Sequence, residues 1–254
     1  MINRARPLLG TIVSIRAREG TEAALRAAFG AIESVHWLMN AHSEIGDLAQ
    51  INRQAHRRTV RVHPWTFEVL RCARAMSEAS AGAFDITLRR LGASYRDIVL
   101  LPEKRVRLRR RAQLDLGGIA KGFAVDRAVD ALRRFGAQSG SVNAGGDLRL
   151  FGDTPQTVRV RLPGAPSLAA PLFEAREQSF ATSGSYFGSL QEDARTGREL
   201  CSDYSVTVCA PTCMLADALT KVVAALGPQP DLLRRFGAHA YLLDRNGGVH
   251  AARG

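Results

Sequence analysis

Three short segments of this 254-residue chain set an acid or an amide beside glycine: Gly82-Ala83-Phe84-Asp85, Asp115-Leu116-Gly117-Gly118-Ile119-Ala120-Lys121-Gly122 and Asn143-Ala144-Gly145-Gly146-Asp147. Glycine turns expose backbone amides that bind phosphate oxygens, and a turn that opens a helix adds the positive end of its dipole. Taken singly, such a turn needs no ligand, because its glycine satisfies a positive φ. The common nucleotide patterns G-x-G-x-x-G and G-x-x-x-x-G-K-[ST] do not occur.

The charge balance adds a second chemical signal. Thirty-five Lys+Arg face 24 Asp+Glu, a net +11, yet only three of the cations are lysines: Lys104, Lys121 and Lys221. An ammonium and a guanidinium are not interchangeable at a tight site, so each lysine in an arginine-rich chain raises a question. The net charge is compatible with nucleic acid, a membrane surface or a phosphate-bearing ligand. No helix-turn-helix, zinc-finger or RRM signature is present and no aromatic residues interleave the basic run, so a nucleic-acid partner is not expected. Arg105, Arg107 and Arg109 alternate with Val106 and Leu108, which reads as a strand with one solvated face. The four cysteines form no CxxC pair and have no His at ligand spacing, so buried reduced thiols are expected in place of zinc. No stretch reaches the roughly 18 apolar residues of a membrane span, so no membrane insertion is expected and the chain as written belongs in the cytoplasm.

The elements that must position these residues follow from periodicity. With 46% apolar residues the chain can bury a core without staples, and residues 1–254 read as a single domain. Leu8 to Ile15 reads as a first strand. Leu25, Phe29, Ile32, Val35 and Met39 mark an amphipathic helix over about 21–40, followed by a polar loop through His42 to Asp47. A short strand at 59–62 precedes a helix from Pro64 to about Ala79. The Arg-rich strand leads to Leu114–Leu116, expected as a strand ending in the glycine turn, and then to a helix with Phe123, Ala128, Val129, Leu132 and Phe135 facing the core. The second half reads as strands at 141–143, from 148, at 158–162 and at 205–208, a helix over about 212–226, a short helix near Leu232 and a terminal hairpin turning at Asn246-Gly247. Runs of strands without strict βαβ alternation predict an α+β fold of mixed, largely antiparallel sheets with packed helices.

In order along the chain, Leu9-Gly10-Thr11, Gly82-Ala83-Phe84-Asp85-Ile86-Thr87, the thirteen-residue stretch Leu114 to Asp126, Asn143 to Asp147, Ala181-Thr182-Ser183-Gly184-Ser185-Tyr186, Ser205 to Val208 and Ala216-Asp217-Ala218-Leu219 resemble the ApbE-like family of FAD:protein FMN transferases. The resemblance covers nearly the whole chain. It implies an FAD cleft between a larger and a smaller portion, cleavage of FAD at its pyrophosphate, transfer of FMN to a Ser or Thr of an acceptor flavoprotein, and release of AMP with Mg²⁺. Such phosphoryl transfer rests on positioning and charge neutralisation. By the same resemblance, Ala83, Phe84 and Asp85 line the flavin pocket, and Asp115, Gly117 and Lys121 contact FAD. Asn143, Gly145, Gly146 and Asp147 shape the cleft, and Ser183 and Gly184 lie beside the phosphates. The Gly118 carbonyl and Asp217 hold the metal, and Asp147, Asp217 and Lys221 are the catalytic candidates.

The chain departs from the family pattern at three points. Lys221 stands four residues after Asp217 where the family has a metal-binding Thr. The stretch Ser189 to Gly197 lacks the family's His and Pro, and Leu9 replaces a Met. Residues i and i+4 share a helix face, so the Lys221 ammonium is expected beside the Asp217 carboxylate, where it would repel Mg²⁺. Two functional readings follow: a working transferase in which Lys221 is a fixed point charge on the pyrophosphate, or an impaired FAD-binding relative without transferase activity. As an exposed surface pair, Asp217 and Lys221 would contribute only a few tenths of a kcal/mol.

Overall fold

The computed structural model describes residues 2–184, 193, 195–197, 200 and 204–253. The motif residues Ser185 and Tyr186, most of the stretch 189–197 and Cys201 lie outside the described residues.

An eight-stranded sheet forms the centre. Its strands are β1 (Ile2–Leu8), β2 (Thr11–Arg18), β6 (Ser139–Ala144), β7 (Asp147–Phe151), β10 (Ser179–Ser183), β11 (Ser205–Ala210), β12 (His239–Leu243) and β13 (Val249–Arg253), in the order β1-β2-β6-β7-β10-β11-β12-β13. Every neighbouring pair is antiparallel. A second sheet orders β3 (Val60–Arg61), β5 (Arg105–Leu108) and β4 (Ile98–Leu101) as β3-β5-β4, and β8 (Gln156–Leu162) pairs with β9 (Ala165–Ala175). The helices are α1 (Glu22–Met39), α2 (Asp47–Gln54), α3 (Pro64–Ala79), α4 (Ala120–Arg134), α5 (Cys213–Leu226) and α6 (Pro230–Arg235). This is the expected α+β architecture of antiparallel sheets with packed helices. None of the helices is long and apolar enough to cross a membrane, among the described residues.

Packing explains why the long helices form where the periodicity placed them. In α1 the predicted face, Leu25, Phe29, Ile32, Val35 and Met39, is buried, and the Thr21 side chain caps the helix by accepting from Ala24 N at 3.1 Å. Gly30 in mid-helix costs about 1 kcal/mol. Burying each large side chain is worth about 2 kcal/mol, so the apolar face outweighs the glycine. α4 lies between α1 and α5 and packs on β6 and β7, while α5 packs on β10 and β11. The core therefore runs continuously from the sheet through all three helices.

Five local expectations are corrected. The first strand is a hairpin: Leu9 and Gly10 both take positive φ, 56° and 71°, and separate β1 from β2 within the segment expected to be continuous. The polar loop ends in α2. Leu114 is buried and extended but belongs to no strand, because its backbone pairs with a side chain: Asn52 Nδ2 donates to Leu114 O at 3.1 Å and Leu114 N donates to Asn52 Oδ1 at 2.8 Å. Arg109 lies beyond the end of β5, and Arg107 is only partly exposed, donating to Ala55 O at 3.3 Å. Phe135 caps the end of α4 with 48% of its surface exposed instead of joining the core. Of the thiols, Cys209 and Cys213 are buried and Cys72 partly so, all three free.

Candidate active site

The turn between β6 and β7 is a two-residue loop: Ala144 pairs with Asp147, leaving Gly145 and Gly146 at φ +64° and +107°. L-residues avoid this conformation. Neighbours add a steric reason, since a Cβ on Gly145 would stand 2.5 Å from Thr11 Oγ1. Asn143 Oδ1 accepts from Gly146 N at 3.0 Å, and Gly146 O accepts from Thr182 N at 3.1 Å. The turn thus locks the start of β2, the end of β10 and the first residue of β7, Asp147, into one corner.

The central stretch reaches the same corner from another side. Asp115 Oδ1 accepts from Gly117 N at 2.8 Å, forming a side-chain turn that leads into α4. Lys121, in the first turn of α4, donates from Nζ to Gly117 O at 3.3 Å and sits 3.1 Å from Asp147 Oδ2 and 3.6 Å from Asp217 Oδ2. Gly122 allows α4 and α5 to touch: a Cβ there would overlap the Cys213 carbonyl and lie 2.9 Å from Asp217 Cβ. Its amide donates to Asp217 Oδ2 at 3.2 Å.

From α5, Lys221 Nζ donates to Asp217 Oδ1 at 3.0 Å, to Thr220 Oγ1 at 3.0 Å and to Ser183 Oγ at 3.4 Å. Its stem runs past the glycine turn, so that a Cβ on Gly118 would meet Lys221 Cγ at 3.4 Å and Phe84 Cε2 at 3.5 Å. Asp217 is fully buried while the Lys121 and Lys221 side chains keep 31% and 28% of their surface. The pair is therefore not the exposed surface bridge that helical spacing also allowed. One buried carboxylate carries an ammonium on each oxygen, and both lysine side chains are partly exposed.

Two acids share two lysines, and they titrate in opposite directions. Burial pushes the Asp217 carboxyl up, but Lys121, Lys221 and the Gly122 amide together hold it below the usual carboxylate value. Asp147 is pushed up to about 6 by burial and by the Asp217 charge, against the pull of Lys121 and Lys221. Burial disfavours the charged form of Lys121, yet Asp147 and Asp217 raise it well above an ordinary lysine. The neighbouring Cys213 thiol is pushed far up by burial and by the three surrounding aspartates, so it stays neutral.

These residues do not suit a divalent metal at Asp217. Both oxygens of the carboxylate are taken by cationic or amide donors. The Thr220 hydroxyl is turned into the helix, donating to Asp217 O at 2.7 Å. Asp147 Oδ2 has acceptor capacity, but the Lys121 ammonium lies 3.1 Å from it. No cluster of three or more His, Cys, Asp or Glu able to hold a metal occurs among the described residues. A dication about 4 Å from a unit charge interacts by about 8 kcal/mol at an effective dielectric of 20. With two ammoniums set against the two carboxylates Asp147 and Asp217, the network offers a dication no net attraction.

The expected site residues thus separate into two groups. Lys121, Asp147, Ser183, Asp217 and Lys221 form one connected network, with Gly117, Gly118 and Phe84 against it and Asn143, Gly145 and Gly146 fixing Asp147. Gly184 follows Ser183 directly at the end of β10. Asp85 plays a bracing part: it is buried, its Oδ1 accepts from the Thr87 amide and hydroxyl at 2.9 and 2.8 Å, and its Oδ2 accepts from Tyr95 N at 3.0 Å. These bonds hold the loop that presents Ala83 and Phe84, both buried. Sequence reasoning assigned no role to Gly122, Thr220 or Asp126. Asp126 accepts from Cys213 N at 3.0 Å and Met214 N at 2.9 Å, capping α5, and from Arg149 Nη1 at 2.8 Å. An acid four residues after Gly122, on the apolar face of α4, was the available signal.

Fold and site define an antiparallel α+β protein with a buried acid–ammonium network at a glycine-turn corner, a centre suited to an anionic, phosphate-bearing ligand. A sequence model of the ApbE family matches residues 9–242, and the chain belongs to that family. Among relatives, an FAD:protein FMN transferase of Klebsiella pneumoniae is 25% identical over 256 residues, covering 87% of this chain and 81% of the relative. One of Treponema pallidum is 28% identical over 314 residues, covering 99% and 87%. The fold is shared with the solved ApbE protein of Thermotoga maritima, with a TM-score of 0.86 at 23% identity over 99% of this chain and 96% of that one. It is shared equally with the flavin transferase ApbE of Vibrio cholerae, at 0.85 and 20% over the same shares.

Proposed function

We propose that this chain is an FAD:protein FMN transferase that cleaves FAD at the pyrophosphate, joins FMN to a Ser or Thr of an acceptor flavoprotein and releases AMP. The observation that carries this reading is the paired ammoniums on one buried carboxylate, set beside the turn that opens α4, in a chain matching the family over residues 9–242. In it, Lys121, Lys221 and Ser183 contact the pyrophosphate, and the Gly117-Gly118 turn lies along it. Phe84 and Ala83 pack against the flavin, held by Asp85, while Asp147 and Asp217 fix the two lysines. Preorganised charge of this kind stabilises the developing phosphate charge without reorganisation. The contributing side chains come from positions 83 to 221, which supports reading residues 1–254 as one unit.

The test is incubation with FAD and a flavoprotein acceptor that bears a Ser or Thr target, followed by mass spectrometry of the acceptor and chromatography of the nucleotide. An FMN adduct with equimolar AMP is expected. FAD binding without adduct or AMP would assign the chain to flavin binding alone.

A further inference from the structure

We propose that Lys121 and Lys221, mounted on the two oxygens of Asp217, are the built-in cations of the reaction, so that transfer by this chain needs no divalent metal. The inference rests on the transferase reading and deepens it.

The geometry supplies the argument. Lys221 Nζ is fixed by three oxygens, Asp217 Oδ1, Thr220 Oγ1 and Ser183 Oγ, at 3.0, 3.0 and 3.4 Å. Lys121 Nζ is fixed by Asp147 Oδ2, Gly117 O and Asp217 Oδ2 at 3.1, 3.3 and 3.6 Å. Each ammonium is already met by three oxygens of the protein, so it acts on a ligand as a fixed point charge, and the Lys121 and Lys221 side chains keep 31% and 28% of their surface. Thr220, the hydroxyl nearest to Lys221 in the sequence, is committed to a backbone carbonyl and leaves the lysine as the group presented beside Asp217. A metal would have to displace one ammonium from a fully buried carboxylate before it could bind.

The step itself balances without a metal. The acceptor Ser or Thr Oγ attacks the phosphorus on the FMN side, forming the new P–O ester bond. The P–O bond to the bridging oxygen breaks, and that oxygen leaves with its electron pair on AMP. The hydroxyl proton passes to the departing phosphate or to water. Lys121 and Lys221 neutralise the non-bridging and bridging oxygens as charge moves onto the leaving group.

Two measurements test this. The first compares AMP release by the wild-type chain, with FAD and acceptor, in excess EDTA and in millimolar MgCl₂. Rates within about twofold of each other are expected; a loss of more than about tenfold in EDTA that Mg²⁺ restores overturns the inference while leaving the transferase reading intact. The second is the electron paramagnetic resonance signal of free Mn²⁺ titrated with wild-type protein and FAD, which needs no turnover. An unchanged signal is expected for the wild type. For Lys221→Thr, loss of free signal together with EDTA-sensitive AMP release is expected. One Mn²⁺ bound by the wild type and released by Asp217→Asn overturns the inference even if no AMP forms under any condition, an outcome that would refute the transferase reading separately. If Lys221→Thr does not fold, the wild-type arms decide.

Discussion

The Gly122 amide donates to Asp217 Oδ2 across the α4–α5 contact at 3.2 Å, where no side chain can be added on the α4 side. Asp217 is therefore positioned by a backbone group as well as by the lysines. Gly122→Ala should separate the helices, lowering stability by about 2 kcal/mol and weakening FAD binding, because the added methyl meets the Cys213 carbonyl. Urea unfolding with a parallel FAD titration measures both; unchanged FAD affinity would show that the α4–α5 spacing does not set the site.

Asp217→Asn should leave Lys221 without its carboxylate and Lys121 with Asp147 alone. Breaking a buried pair costs about 3–5 kcal/mol, and the partial exposure of both lysines, 31% and 28%, reduces the expectation to about 2 kcal/mol. AMP release should fall more than about tenfold while FAD binding tightens, because the site gains a positive charge. Loss of FAD binding would argue against the lysines as the anion contacts.

The coupled acids give the site a pH response. The fold raises Asp147 to about 6, so its stabilising contribution is complete below the ordinary value of 3.8 and is lost as pH rises through about 6. Asp217 behaves oppositely: its depressed value means a contribution present above 3.8 that is lost as pH falls through the lowered value. Between these limits Asp147 is neutral, Asp217 ionised and Lys121 charged, with the buried Cys213 thiol silent. FAD should bind about threefold tighter at pH 5 than at pH 7, a Coulombic effect of one charge in a partly hydrated site. Asp147→Asn should remove the difference, and a pH dependence that survives this substitution would place its source elsewhere.

Asp126 fixes the start of the helix that carries Asp217 and Lys221. Asp126→Ala should cost about 3 kcal/mol, since it removes the acceptor for two α5 amides and strands Arg149. Asp126→Asn keeps one acceptor oxygen and should cost about half as much. Thermal unfolding of the two variants checks the order; equal losses would mean that the Arg149 pair, not the cap, dominates.

The helices were legible because burial and period agree. Leu25, Phe29, Ile32, Val35 and Met39 form one face both in the sequence and in α1. Leu114 misled because an extended apolar segment reads as a strand whether its backbone partner is another strand or, as here, the Asn52 amide. The hairpin at Leu9-Gly10 was hidden by an apolar residue in a left-handed conformation, an uncommon turn choice. Within the site, the Asp217–Lys221 contact followed from i, i+4 geometry, and the connection of Lys121 to the same carboxylate did not. That second contact depends on how closely α4 and α5 approach, which no local pattern encodes.

The bonds that build the site join residues far apart in the chain: Gly122 to Asp217 spans 95 positions and Asp126 to Cys213 spans 87. Contacts of such separation close large loops, and the entropy of that closure opposes their formation. During synthesis from the amino terminus, the Gly122 amide and the two α5 amides that Asp126 accepts from can be joined to their partners only once α5 has been made. An anionic nucleotide can then recognise only the finished molecule, and its binding stabilises that state over every earlier one by mass action. Nucleotide saturation therefore serves as a direct assay of folding yield, able to separate a variant that never completes its assembly from one that assembles and fails at chemistry.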